Sequence, residues 1–390
     1  MSNLGLVLSG GGARGAYQVG VLSAVAELCR ELSIDNPFQI YTGVSAGAIN
    51  ACALTAHPGS FVEACESLRG IWRHLESPDI FVSDTISLTG VAMHWLMDLS
   101  SGGMKSTPGK SLLNTAPLRA LIEKNCHFEN IQKKIDAGVI QALGISALDF
   151  HTSSTVTFIQ GRTEIPLWER VRRQATRSPI TADHIMASAA IPVLFPPIAV
   201  NSRYYGDGSI RNFSPCGPAI YMGADRLLAI GVRRKQDICF TTHEVSPTEM
   251  PSVARVASVL LHAIMSDGIE FDIERIERIN LALGKIHHSE RKHLNVRHVD
   301  ALWISPSEDF SKLAAETAQE LPKMIRYLLR GLGSLEESAE LSSFLLFEKA
   351  YVQKLIEIGH ADGLRARDEL TRLLTGQKMK DPPAEAQLQN

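Results

Sequence analysis

The chain has 390 residues, is 45% hydrophobic and 21% charged, and is long enough for one large α/β domain or two ordinary ones. A formal net charge of −3 gives no electrostatic case for a nucleic-acid partner. The six cysteines, Cys29, Cys52, Cys65, Cys126, Cys216 and Cys239, form no C-x-x-C pair. They read as buried or free thiols in a reducing compartment, not as a metal site or disulfide framework.

In chain order, Leu4–Ser9 is a short apolar run that predicts a buried strand. Its flanks lack the basic n-region of a signal peptide, and no apolar run reaches transmembrane length. The expectation is a cytoplasmic protein or one peripheral to a membrane, with export lacking a cleaved signal left open. A glycine loop over Gly10–Gly15 comes next, then a helix with Val21, Ala24, Val25, Leu28, Cys29 and Leu32 on one apolar face. Phe38–Thr42 predicts a second strand and Ser45 onward a second helix. Strand, loop, helix, strand, turn, helix is the opening of a parallel sheet with crossover helices.

Further strands are predicted at Val139–Ser146, Thr155–Gln160, Arg226–Gly231 and Ala301–Ile304. Helices are predicted at Ser60–Leu75, Ala116–Asn125, Ala182–Ala190, Ser252–Asp267 and Phe271–Leu283. Pro78–Asn114 is the least regular stretch and reads as an inserted, lid-like loop. Within it, Ala92, Trp95, Leu96 and Leu99 have helical spacing, which fits a packed core helix or a membrane-touching one. The last third is mostly helical, with Phe344, Phe347, Tyr351, Leu355 and Ile358 striping one face as core. Gly376–Asn390 reads as a disordered tail.

Gly43-Val44-Ser45-Ala46-Gly47 is a G-x-S-x-G sequence between a predicted strand and a predicted helix, the context of a nucleophile elbow. Gly43 and Gly47 would keep that turn free of side chains, and the helix N-terminus would favour a developing oxyanion. Gly10, Gly12 and Gly15 match G-x-G-x-x-G, which admits two uses: a dinucleotide cradle, or backbone donors for an oxyanion. The first use wants an acid at the end of the second strand, and Asp35 precedes that strand. Far downstream, Tyr205-Gly206-Asp207-Gly208-Ser209 reads by itself as an Asp-Gly turn.

These motifs, with Ala187-Ser188-Ala189-Ala190-Ile191-Pro192-Val193-Leu194-Phe195 between them, resemble the patatin-like phospholipase family, bacterial type. The resemblance covers about Leu4–Pro215. It implies a three-layer α/β/α fold with a mostly parallel central sheet. It implies one catalytic domain over 1–375, with a motif core at 4–215, an insertion at 78–114 and a helical C-terminal part at 305–375. It also implies Ser45 as nucleophile, Asp207 as its direct activator, and an oxyanion loop of Gly10, Gly11, Gly12, Arg14 and Gly15, joined by the N–H of Ala46. Ser209 stands where the family has Gly or Ala. The implied activity is hydrolysis of fatty-acyl esters, with a phospholipid or other acyl ester as substrate, no metal and no cofactor. The rival readings are a nucleotide-binding protein using the Gly10–Gly15 loop and a catalytically silent regulator.

No histidine after Asp207 sits in a motif-like turn, so a Ser-Asp dyad is expected instead of a triad. Arg170, Arg172, Arg173 and Arg177 read as a solvated helix face, with contact to phosphate head groups or an anionic membrane as the functional alternative.

Overall fold

The computed structural model describes residues 3–82, 111–235, 268–317 and 339–377, without residues 292 and 295. Two largely apolar runs form β1 (Leu4–Leu8) and β2 (Ile40–Val44), and every residue of both is buried. A strand covered on both faces needs no polar side, so its sequence lacks alternation. Then come β3 (Ala142–Asp149), β4 (Ser154–Gly161), β5 (Glu169–Arg170), β6 (Arg173–Arg177), β7 (Ile198–Val200), β8 (Arg203–Asp207), β9 (Arg226–Ile230) and β10 (Asp300–Ile304). They make one ten-stranded sheet ordered β10-β9-β1-β2-β3-β4-β6-β5, with β8 paired to both β3 and β7. From β10 to β3 all neighbours are parallel, and β4 turns antiparallel to β3. The predicted strands are present, with ends displaced by up to three residues.

The helices are α1 (Gly15–Glu31), α2 (Ala46–Ala56), α3 (Phe61–Arg73), α4 (Ser77–Ile80), α5 (Ala116–Asn125), α6 (Glu129–Asp136), α7 (Ala182–Ser188) and α8 (Gly217–Tyr221). After them come α9 (Ile269–Gly284), α10 (His288–Arg291), α11 (Phe310–Thr317), α12 (Ala339–Leu345), α13 (Lys349–Arg365) and α14 (Arg367–Thr375). They cover both faces of the sheet. Leu4, Leu6 and Leu8 point into the larger core with residues of α1, α2, α3 and α13. Val7, one residue out of phase, points the other way with Ile40, Leu227 and Ala229 toward Ala219 of α8 and Ile276 of α9. The architecture is therefore the expected three-layer α/β/α arrangement.

Three sequence readings change. The amphipathic helix α1 is buried over 14 of its 17 residues, because α13 packs closely along it against Tyr17, Gly20, Val21 and Ala24. Contact between the two helices is direct: a Cβ on Gly20 would lie 2.1 Å from Ile356 O, and one on Gly359 would lie 2.1 Å from Tyr17 O. Gly359→Val is therefore expected to cost about 3 kcal/mol or more of stability through overpacking. Denaturant unfolding measures this, and an unchanged midpoint would mean the helices can part freely. Second, Arg170, Arg173 and Arg177 lie in strands β5 and β6 at one end of the sheet, with Arg172 in their turn, rather than on a helix. Pairing of β6 with β4 overrides the local pattern there. Third, the predicted end of the Phe344 stripe is split among α12, α13 and the link between them.

The described residues on either side of 83–110 come together. Val82 and Asn114 form an antiparallel bridge, with N···O distances of 2.8 and 3.1 Å. The apolar island Val91–Leu99, the helix predicted at Ser252–Asp267, and residues 378–390 of the predicted tail lie outside the described residues.

Candidate active site

β2 ends in a sharp turn at Ser45, whose φ of 54° is positive for a residue with a side chain. Local packing holds that conformation. A Cβ on Gly43 would sit 2.3 Å from Gly47 O, and a Cβ on Gly47 would sit 2.2 Å from Leu8 O. Only glycine lets the start of α2 lie this close to the ends of β1 and β2. The Ser45 N–H donates to Ser188 Oγ at 2.9 Å, and that hydroxyl donates to Ser146 O at 2.7 Å. The Ala187–Phe195 motif thus braces the turn from below.

Asp207 reaches Ser45 through the sheet. β4 occupies one flank of β3 along its whole length. On the other flank, β2 pairs as far as Val44 opposite Ser146, and β8 takes over with Asp207 opposite Ala147. β2 runs with β3 and β8 runs against it, so the C-terminal ends of β2 and β8 meet head-on. Residues 162 apart in sequence (207 − 45) become neighbours in this way. Gly208 completes the approach, because a Cβ there would lie 2.3 Å from Ser146 O.

The Asp207 side chain is fully buried. Its Oδ1 accepts from the Ser209 N–H at 2.8 Å, while Oδ2 has no aligned hydrogen-bond partner among the described residues. Burial pushes the carboxyl up to about 6, against the pull of the Ser45 hydroxyl and of the Ser209 main chain and side chain. The Ser45 hydroxyl therefore faces Asp207 without meeting the geometry of a full hydrogen bond.

The glycine loop passes over both groups. A Cβ on Gly10 would fall 2.0 Å from Ser209 Oγ and 3.1 Å from Ser45 Cβ. Gly12 has φ +54°, and a Cβ there would strike Phe344 O at 2.2 Å. Gly15 touches α2, where a Cβ would meet Ala46 Cβ at 2.8 Å. The N–H groups of Gly11 and Gly12 have no main-chain partner among the described residues, and that of Ala46 opens α2 without one. Arg14 and Gly15, grouped with this loop in the sequence, are different. The Arg14 N–H donates to Gly11 O at 3.0 Å, and the Gly15 N–H is taken by Ala13 O and Gly12 O. The Arg14 guanidinium turns toward α12: it donates to Ser343 Oγ at 2.8 Å and to Glu340 Oε1 at 2.8 Å, and lies 4.1 Å over the Phe344 ring. It ties the loop to the C-terminal helices and does not turn to Ser45.

An almost wholly apolar cavity opens from Ser45, Ala46 and Gly12 and runs between α2, α3 and α5. It is narrow, with about 60 Å³ open to the centre of a water molecule. Leu68, Trp72, Leu118 and Ile122 line it, as do Phe344 and Phe347 from the stripe read as core. Those two rings are buried and also face the cavity, a double role that apolar periodicity does not distinguish. No described residue lining the cavity is a histidine. The buried His184 is engaged with Ser178 and Thr181. Among the described residues no cluster of His, Cys, Asp and Glu is placed to hold a metal ion, and no helix is long and apolar enough to cross a membrane.

A family model described as patatin-like phospholipase matches residues 6–220, more than half of the chain. The chain belongs to the patatin-like phospholipase family. The matched stretch carries the glycine loop, Ser45 and Asp207 together. Membership in the patatin-like phospholipases supports a lipid-acyl hydrolase in general terms. Comparison with curated proteins finds no match. Among solved structures the chain is similar to VipD from Legionella pneumophila, at 12% identity over 95% of this chain and 67% of that one, with a TM-score of 0.36. It is also similar to human GIVD cytosolic phospholipase A2 in complex with methyl gamma-linolenyl fluorophosphonate and terbium chloride, at 12% identity over 96% of this chain and 59% of that one, with a TM-score of 0.42. The chain spans about three fifths of the human structures' length.

One departure from the patatin-like pattern has a measurable effect. The Ser209 hydroxyl is buried without an aligned partner, yet it helps hold the Asp207 carboxyl down. Ser209→Ala is expected to move the acid limb of the kcat/KM profile to higher pH with the fold intact. A limb that stays in place would show that the hydroxyl does not act on Asp207.

Proposed function

We propose that the protein is a serine acyl hydrolase that cleaves fatty-acyl esters of phospholipids, with Ser45 as nucleophile and Asp207 as its base. The observation that carries this reading is the meeting of Ser45, which lines an apolar cavity, with a buried carboxylate whose second oxygen has no aligned partner among the described residues. Ser45 Oγ attacks the acyl carbonyl while its proton passes to Asp207. The N–H groups of Gly11, Gly12 and Ala46 hold the oxyanion at a helix N-terminus. As the tetrahedral adduct collapses, Asp207 returns the proton to the departing lysolipid alcohol. Water then attacks the acyl-enzyme, again losing a proton to Asp207, and the fatty acid leaves as Ser45 is restored.

The cavity favours an apolar acyl chain over a polar leaving group, because its lining offers almost no hydrogen-bonding atoms. The dinucleotide reading of the glycine loop is weaker. Gly10 and Gly12 are needed by Ser45, Ser209 and Phe344, and Ser45 stands where the ribose-binding acid belongs. The test is mass spectrometry of products from mixed phospholipids, wild type against Ser45→Ala. Free fatty acid and lysolipid from the wild type alone are expected, and equal product from both would remove the proposal.

A further inference from the structure

The turns around Asp207 at the carboxyl edge of the sheet expose large apolar side chains. The β3–β4 turn exposes Phe150 and the β7–β8 hairpin exposes Tyr204. Val171, in the β5–β6 turn, is 88% exposed, and Phe213, six residues beyond Asp207, is 69% exposed. Single exposed apolar residues are ordinary, but these lie on turns that are hydrogen-bonded to one another. Phe150 N–H donates to Tyr204 O at 3.1 Å, and Thr155 N–H donates to Arg172 O at 2.9 Å. Thr155 Oγ1 donates to Arg211 O at 2.9 Å, and Arg211 Nη1 donates to Ser153 O at 2.7 Å. The four turns therefore form one rim.

The rim is also basic. Arg170, Arg172, Arg203 and Arg211 stand among the apolar tips. Of the acids beside them, Asp149 is fully buried and bridged to Arg203 at 3.0 Å and Asp272 is buried against Ser214, which leaves the exposed Glu169 and, next to the Gly268–Phe213 contact, Glu270. The chain as a whole carries −3, so this positive excess is local. Apolar tips interleaved with arginines match one surface in particular: anionic head groups over an acyl layer.

We infer that this rim docks the protein on anionic phospholipid membranes, with Val171 and Phe213 entering the head-group boundary and Arg172 and Arg211 meeting phosphates. The use of that docking, presenting an acyl ester to the site behind Asp207, rests on the proposed hydrolase function; the docking itself does not. The test is co-sedimentation of the full chain with vesicles of ether-linked lipids, which contain no cleavable acyl ester. Neutral phosphatidylcholine vesicles are compared with vesicles in which about one third of the lipid is phosphatidylglycerol. Binding to the anionic vesicles is expected to be about tenfold tighter, and to weaken steeply at about 0.5 M salt. V171S/F213S and R172E are each expected to weaken anionic binding by about tenfold or more. Both variants are expected to turn over a short soluble ester like the wild type, which also reports that they fold. Absence of binding, equal binding to both vesicles, or variants that bind like the wild type would overturn the inference. Loss of soluble-ester activity in the wild type, with rim-dependent vesicle binding kept, would overturn the hydrolase reading and leave the docking surface standing.

Discussion

Ser45→Ala is expected to lower turnover of a short soluble acyl ester by about 10³- to 10⁶-fold while leaving the fold intact. The structural reason for an intact fold is that Ser45 packs through its main chain. Its N–H bonds to Ser188, and its carbonyl accepts the N–H groups of Ala48 and Ile49. Alanine keeps all three bonds, and at φ 54° it is no more strained than serine. Only the hydroxyl oxygen, the proposed nucleophile, is lost. Initial rates and a melting curve of the purified variant check both halves. Wild-type turnover in a folded variant would move the nucleophile elsewhere.

Asp207→Asn is expected to reduce turnover nearly as much, and to make the protein more stable above pH 6. The carboxyl is raised from 3.8 to about 6 by burial. Folding therefore favours its protonated form: the stability this group contributes is full below about 3.8 and is lost as pH rises through about 6. At about 1.36 kcal/mol per pH unit, that gap is about 3 kcal/mol of strain carried by the ionised wild type. Asparagine carries no charge, so it recovers much of this at pH 8, less the cost of an unpaired amide N–H. Urea unfolding of both proteins at pH 8 and pH 4 measures the difference, which should shrink toward pH 4. As the proposed base, the same carboxyl would have to be ionised to accept the Ser45 proton, so wild-type kcat/KM should fall about tenfold per pH unit below about 6. A rate that stays flat down to pH 4.5, or a full loss of activity in a folded single His→Gln variant, would end the dyad mechanism.

The sharp turn at Ser45 was legible because everything that shapes it is local: two glycines, a strand before and a helix after. The buried strands were legible for the same reason, as short apolar runs between turn residues. Asp207 carries no such mark. Its fragment reads as a solvated turn, and only pairing along β3 buries it. β8 itself escaped the pattern, since Arg203 and Tyr204 are exposed and only its last three residues are buried. Arg14 misled in the opposite direction, because proximity in sequence to the glycine loop says nothing of a guanidinium that pairs with Glu340 and Ser343. The cavity wall was hidden because Leu118 and Ile122 have the spacing of any core-facing helix, and whether such a face meets side chains or empty space depends on its neighbours.

The head-on meeting of β2 and β8 makes the site a joint between the central strands and a hairpin that reaches the same core through Val200 and Tyr205. The half with Ser45 belongs to the central strands and to the deepest core of the molecule. The half with Asp207 rides on a hairpin held to β3 by three residue pairs, Tyr205 to Asp207, and turned at Asn201 and Ser202 with both φ angles positive. Lifting that hairpin would disconnect the proposed proton acceptor while leaving the proposed nucleophile and its acyl cavity in place. With Asp207 as the proposed base, loosening this hairpin is expected to lower turnover at a smaller free-energy cost than unfolding the molecule, since only the packing of Val200 and Tyr205 and three residue pairs tie it down.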